Sequence, residues 1–387
     1  MSKQRYFELY GKYPSAVYAS PGRVELCGNH TDHQGGKVLA AAIDRAVRIY
    51  ADGNASDTIL VHSDGFPPCA VNRKDLSVHI EEKNTTAALI RGICAGLQRR
   101  GTAPVGAELL VTSDVPVGSG LSSSAAFSVA MAKCLSDLAG ASLTKEELAQ
   151  LAQFAENRYF LKPCGGLDQY ASALGGAVSL DFSVPDAPKA ETLSLNFLDE
   201  TYALCIVQVG ADHTDLTEEY ADIVAELKDV AAFFGRERLI EVEEAQINGA
   251  VLPLRRRCGD RAVLRALHVF AENRRVDAAR AAIQKQDAAA FAEALRASGH
   301  SSRVLLQNIV PSGAKREQSA ALALALAERE LSGTGAARIH GGGFGGTILC
   351  LVPKEIFPIF QQTMESVFGS DSVLLVRADA LGVRKEG

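Results

Sequence analysis

Glycine and small hydroxylated residues crowd into PVGSGLSSSAA, residues 116–126. Gly118, Ser119, Gly120, Leu121, Ser122, Ser123 and Ser124 would let backbone N–H groups close on an anion, and the apolar helix that follows aims its positive N-terminal end at the same point. The segment is therefore a candidate cradle for phosphates. The lysine of G-x-x-x-x-G-K-[ST] is missing, which excludes a Walker A loop. A flexible turn uses the same residue types, so this loop does not decide the chemistry alone.

Three further clusters carry groups that could act on a phosphorylated ligand. In SPGRVELCGNHTDHQGG, residues 20–36, Arg23, His30 and Asp32 stand among turn-forming glycines, a pattern that predicts a site built on loops rather than on a periodic face. A metal pair from His30 and His33 would need a helix, which Gly28, Gly35 and Gly36 oppose. In CGGLDQ, residues 164–169, Asp168 follows a tight glycine turn and can reach a substrate hydroxyl; Glu156, on the preceding helix, can hold Mg²⁺ with phosphate oxygens completing the shell. In HGGGFGG, residues 340–346, the glycines imply positive φ or close backbone contact, a supporting role beside other loops, with His340 a satisfied structural histidine.

These clusters need elements to hold them. Apolar periodicity predicts a helix in TTAALIRGICAGLQRR that ends at Gly101, and alternation predicts a strand in GAELLVTSDVP leading into the phosphate-loop candidate. Thr144 and Glu147 form a capping-box signal for a helix through about Tyr159, broken by KPCGG. AVSLDFS and ALCIVQVG read as strands around a loose segment at residues 187–197, where we place a boundary between domains 1–192 and 193–387. Helical patterns dominate beyond it, at DLTEEYADIVAELKDVAAFF, residues 260–284 and AKREQSAALALALAERELS, and the chain finishes strand, helix, strand. The class expected is α+β, with two lobes and a cleft between them.

At 387 residues, 47% hydrophobic and 22% charged, the chain matches globular averages, and a net charge of −6 gives no basic excess for a nucleic-acid backbone. No apolar run reaches the roughly 18 residues a spanning helix needs, so no membrane partner is expected. The eight cysteines show no C-x-x-C pair, which suits free thiols in a reducing cytoplasm.

Taken together and in order, PGRVELCGNHTDHQGG, PVGSGLSSSAA, AENRYFLKPCGGLDQ and HGGGFGG resemble the signature motifs of galactokinases within the GHMP kinase superfamily, over residues 18–352. The resemblance implies a ribosomal-protein-S5-like N-terminal domain, a helix-rich α/β C-terminal GHMP domain and an active site in the cleft. It implies ATP as co-substrate and Mg²⁺ held by Ser124 and Glu156, with residues 118–124 around the phosphates. Asp168 matches the base and Arg23 its cationic neighbour; Arg23, Asn29, His30, Asp32, Gly165, Asp168 and Tyr220 match sugar-contacting positions. The implied activity is phosphorylation of the C1 hydroxyl of galactose by a cytoplasmic monomer or weak homodimer.

Two departures bear on the substrate. Galactokinases usually read G-E-H-T-D-Y, where this chain has Gly28-Asn29-His30-Thr31-Asp32-His33. An amide at position 29 is compatible with galactose, and equally with the C6 carboxylate of galacturonate, whose plant kinases resemble this segment; N-acetylgalactosamine stays open as well. The family's W-x-N-Y-x-R-G segment is Thr86-Ala87-Ala88-Leu89-Ile90-Arg91-Gly92 here, which leaves the packing of adenine open. A catalytically silent galactose and ATP sensor is the reading from a different class; the uninterrupted GLSSSAA, Glu156 and Asp168 argue against it.

Overall fold

A computed structural model describes residues 2–116, 120–162, 164–184, 187–210 and 216–386. The first half of the chain builds β1 (Ala16–Cys27), β2 (Lys37–Asn54), β3 (Thr58–Ser63), β4 (Cys69–Asn72), β5 (Gly106–Ser113), β6 (Ala177–Asp181) and β7 (Lys189–Leu193). With them come helices α1 (Ser2–Tyr10), α2 (Thr86–Arg99), α3 (Ser123–Leu138), α4 (Lys145–Ala155) and α5 (Leu167–Leu174). The second half adds β8 (Tyr202–Gln208), β9 (Ala336–Ile339), β10 (Thr347–Pro353), β11 (Val373–Val376) and β12 (Arg384–Glu386). Its helices are α6 (Thr217–Phe233), α7 (Glu244–Gly249), α8 (Val251–Cys258), α9 (Asp260–Gln284), α10 (Ala288–Ser301), α11 (Ser319–Leu331) and α12 (Phe357–Phe368).

The strands form two sheets. The larger runs β12-β1-β2-β5-β3-β4, with β6 pairing the start of β2 and β7 pairing β6; the smaller runs β11-β8-β10-β9. The pairings are antiparallel except β3 with β5, which are joined through α2 as parallel neighbours must be. Strand order and helix placement give the α+β class expected, and α4 carries the capping box, with both reciprocal bonds between Thr144 and Glu147 formed.

One expectation meets a long-range strand pairing, and a second needs adjustment. The expected division at residue 192 falls at the end of β7, but β12 returns from the far end of the chain to pair with β1 through Val17↔Glu386 and Ala19↔Arg384. Arg23, expected on a loop, sits within β1. Pro21 cannot donate to the ladder and interrupts the register between Pro21 and Arg23 as a bulge, which lets a Pro-Gly pair stay inside a strand.

Burial follows the two periodicities. In the smaller sheet Ile206, Leu349 and Leu351 face the main core, while Cys205, Val207, Ile348 and Cys350 face α11 and α12, the alternation of a sheet covered on both sides. The C-terminal part of α9, with Val276, Ala279 and Ile283, packs into the main core, and its N-terminal part, with Ala262, Ala266 and Val269, into a separate cluster with α6 and α8. All eight cysteines are free. Among the described residues, no helix is long and apolar enough to cross a membrane.

Candidate active site

Arg23 is the pivot. The β1 bulge turns its side chain inward, where it is nearly buried, and Nε donates to Asp168 Oδ1 at 2.7 Å while Nη1 donates to Gly120 O at 2.6 Å. Asp168 opens α5, directly after the glycine turn. Its second oxygen accepts from the Ser122 hydroxyl, and Ser122 holds φ 59° as the residue that turns the phosphate-loop candidate into α3. Burial would raise the Asp168 carboxyl, but the Arg23 charge, the donors on Ser122 and Arg23, and Lys162 beyond them hold it below the usual carboxylate range. The group is thus an ionised carboxylate, with a cation to keep it so, beside the candidate phosphate turn.

A cavity of about 350 Å³ spans this point, with Ser122 to Ser124, Lys162 and Asp168 on one wall and Tyr220, His340 and the glycine loop on the other. Gly118 and Ser119 lie outside the described residues; Gly120 and Leu121 line the cavity. Gly120 has φ 73°, and a Cβ there would stand 3.1 Å from Thr347 Oγ1, so the two loops approach as only glycine allows. His340 takes a packing role: Nε2 accepts the Glu25 N–H at 3.0 Å and burial keeps the ring neutral.

Glu156 sits where α4 passes into a single π-turn, Glu156–Phe160, a deviation that often marks functional positions. Oε2 accepts from Gln169 Nε2 at 2.6 Å, whereas the buried Oε1 has no hydrogen-bond partner. Burial and the nearby Asp168 charge raise this carboxyl, offset by Lys162, the Cys164 thiol and the Ser124 hydroxyl. An orphaned carboxylate oxygen beside a hydroxyl at a helix N-terminus fits a divalent cation. Among the described residues no three His, Cys, Asp or Glu side chains cluster as a metal site; one or two protein ligands, with phosphate oxygens and water completing the shell, is the pattern Mg²⁺ commonly takes.

The second motif supplies the other end of the cleft. Asp32 backs onto the turn that precedes Asp168: a Cβ on Gly165 would lie 2.1 Å from Asp32 Oδ2, so only glycine fits there. His30 stacks on Tyr220, with centroids 6.4 Å apart, and Nε2 meets Gly342 O at 2.9 Å. Carbonyls only accept, so His30 Nε2 carries the proton. Burial, with His30 and Lys228 nearby, drops the His33 imidazole to about 3, and Gln34 Nε2 donates to its Nδ1 at 3.1 Å, leaving His33 Nε2 to donate to His30 Nδ1 at 3.4 Å. Tyr220 donates to Gly343 O and crosses the glycine loop so closely that a Cβ on Gly342 would sit 2.5 Å from its ring.

Asn29 behaves differently from its neighbours in sequence. It is only 1% exposed, Nδ2 donates to Glu25 Oε1 at 2.9 Å and Gly341 O at 2.6 Å, and Oδ1 accepts from Asn308 Nδ2 at 2.6 Å. Its amide is engaged by protein rather than turned to the cleft, and the pattern demands donors on one side and an acceptor on the other. Asn29→Asp places an oxygen between two acceptors and is expected to lower stability by on the order of 3 kcal/mol. A lower urea midpoint at unchanged m-value would be the readout.

Two features of the site carry no functional signal in the sequence. Lys162 follows the π-turn and lines the same cavity as Asp168; its place in the KPCGG breaker cluster carries no other signal. An apolar cavity of about 600 Å³ adjoins the phosphate-loop candidate through Ser123 and Ser124 and is walled by Phe66, Pro67, Pro68, Phe127 and Phe160. It supplies aromatic surface that the absent tryptophan left unaccounted for. Arg91 of the departing segment instead pairs with Glu82 through Nε at 2.9 Å and Nη2 at 2.7 Å.

Two family models match this arrangement: the GHMP kinases N terminal domain over residues 88–176, and the galactokinase galactose-binding signature over residues 4–52. The galactokinase of Actinobacillus succinogenes is 32% identical over 355 residues, covering 92% of this chain and 89% of its own. That of Streptomyces coelicolor is 32% identical over 373 residues, covering 95% and 92%. The chain belongs to the galactokinase family. The fold agrees, since the crystal structure of Lactococcus lactis galactokinase complexed with galactose superposes with a TM-score of 0.83 at 24% identity over 100% of this chain and 98% of that one. A mevalonate kinase structure, at TM-score 0.68 and 16% identity, shares the GHMP fold more distantly. As a galactokinase-family member the chain is a sugar kinase, a phosphotransferase.

Proposed function

We propose that this chain transfers the γ-phosphoryl group of ATP to the C1 hydroxyl of galactose, giving galactose 1-phosphate and ADP. The observation that carries the reading is the Arg23–Asp168–Ser122 cluster, which sets an ionised carboxylate between a phosphate-binding turn and the loop of His30 and Asp32. The sugar would lie between Asp32, His30, Tyr220 and Asp168, the triphosphate along residues 118–124 and the base in the apolar cavity beside Phe127 and Phe160. Asp168 accepts the proton of the attacking hydroxyl or orients it, and Arg23 and Lys162 face the charge that spreads over the transferring group. Rate enhancement then rests on positioning and charge stabilisation rather than on a covalent intermediate. Mg²⁺, when bound by Ser124 and Glu156, would neutralise phosphate charge. We propose residues 1–192 and 193–387 as the two domains, with β12 reaching back to the first, and a cytoplasmic monomer or weak homodimer as the working form.

The engagement of Asn29 by Glu25, Gly341 and Asn308 leaves that amide no free donor for a C6 carboxylate, which supports galactose over galacturonate. In a coupled ADP assay with galactose, galacturonate and N-acetylgalactosamine, kcat/KM for galactose is expected to lead by about 10²-fold or more. ³¹P NMR should find the product phosphate on the anomeric oxygen. Equal or faster turnover of galacturonate would reject the proposed substrate, and no turnover with bound ATP would favour the sensor.

A further inference from the structure

The loop that carries His30 and Asp32 is gripped at both ends by one helix from the other half of the chain. At the entrance, the Gly28 N–H donates to Glu272 Oε1 at 2.9 Å, and the Cys27 thiol reaches the same oxygen at 3.3 Å. One turn earlier on α9, His268 Nε2 lies 2.9 Å from Asn29 O. That carbonyl can only accept, so Nε2 holds the proton and Nδ1 accepts from the Ser301 hydroxyl at 2.8 Å, consistent with burial depressing the imidazole to about 4. At the exit, the Lys37 N–H donates to Asn273 Oδ1 at 2.8 Å, and Lys37 Nζ pairs with Asp277 at 2.7 Å.

The two ends are also tied to one another. The Thr31 hydroxyl lies within reach of Gly28 O at 2.8 Å and Lys37 O at 2.5 Å. The fit leaves no slack: a Cβ on Gly36 would stand 2.6 Å from Asn273 Oδ1, and one on Gly28 2.5 Å from Val38 Cα. Glu272 has no solvent exposure and its two oxygens take donors from Cys27, Gly28, Ser298 and Arg275. A carboxylate so completely satisfied in the interior is a rigid anchor rather than a titrating group. None of these α9 side chains lines the catalytic cavity.

We propose that His268, Glu272 and Asn273 are positioning residues for the sugar, fixing both ends of residues 28–37 so that Asp32 stays against Gly165 and His30 against Tyr220. The inference rests on the reading of that loop as sugar-binding. Its physical content is preorganisation: a loop already held in place loses little conformational freedom when the ligand arrives, whereas a loop released at one end must be ordered by the ligand and binds it more weakly. The nucleotide meets residues 120–124 and the apolar cavity, which α9 does not hold, so its affinity should be independent of the clamp.

The test is titration calorimetry of galactose and, separately, of a non-hydrolysable ATP analogue, with KM for each substrate and a thermal melt. Asn273 is half-buried, so Asn273→Ala should fold; it is expected to weaken galactose binding about fivefold to tenfold with nucleotide binding changed less than twofold. Glu272→Ala should weaken galactose more than tenfold, and Glu272→Gln, which keeps an acceptor for Gly28 and Cys27 and loses only the Arg275 pair, should stay within about threefold of wild type. If Glu272→Ala does not fold, Asn273→Ala decides. Unchanged galactose affinity in Asn273→Ala, or sugar and nucleotide affinities falling together with the melting temperature, would overturn the clamp while leaving the kinase reading intact. Wild-type protein that binds no galactose would reject that reading and the clamp with it.

Discussion

Asp168→Asn is expected to lower kcat by about 10³-fold or more while changing the dissociation constant for ATP by less than about threefold. The substitution preserves shape and can keep both contacts, since the amide oxygen accepts from Arg23 Nε and the amide nitrogen donates to the Ser122 hydroxyl in a reversed bond, but the negative charge proposed to orient or deprotonate the acceptor is gone. Nucleotide binding should survive because Gly120 O remains in contact with Arg23 and the turn into α3 does not depend on the carboxylate charge. A coupled ADP assay beside a direct nucleotide titration separates the two terms. Turnover near wild type would remove Asp168 from the reaction.

Arg23→Met should produce the second large effect, a fall in kcat of about 10² or more together with a changed pH profile. In the wild type the Asp168 pKa lies below the ordinary carboxylate range of about 4, so its ionised form persists down to low pH and its protonation takes no activity near neutrality. Without the guanidinium, burial is opposed only by Ser122 and Lys162, and the pKa moves up. The sign follows: the variant's activity should fall as the pH drops through a higher value than in the wild type, and raising the pH should recover part of the loss. Arg23→Lys should keep the charge but not both contacts, because an ammonium cannot reproduce the planar fork that spans Asp168 and Gly120. Superimposable pH profiles for wild type and Arg23→Met would show that the two residues are not electrostatically coupled in the working enzyme.

What the sequence disclosed were features that interrupt a periodic pattern. Residues 118–124, the CGGLDQ turn and the HGGGFGG loop stand out because glycine and serine runs have little reason to occur inside strands and helices. The capping box at Thr144 and Glu147 could be read for the same reason: its partners are three residues apart. Arg23 was harder, since a Pro-Gly pair announces a turn and only the pairing of β1 with β2 shows that a bulge absorbs it. Asn29 reads as a sugar contact by the likeness of its neighbours to a sugar motif, yet two of its three partners, Gly341 and Asn308, lie about three hundred positions away, beyond any local signal. His268 and Glu272 pass in sequence for polar positions of a long helix, and their burial follows only from the loop that docks on them. Likewise the apolar cavity draws Phe66, Phe127 and Phe160 from three separate segments, none of them patterned as a site.

The return of β12 to β1 bears on how the molecule is made. Until translation has passed residue 386, the Val17–Ala19 stretch of β1 lacks its neighbour on one side and offers unpaired backbone groups to any other chain nearby. The sheet begun by the earliest residues thus acquires its last strand from among the latest, and a nascent chain cannot finish the sheet that carries Arg23 while the second half is still emerging.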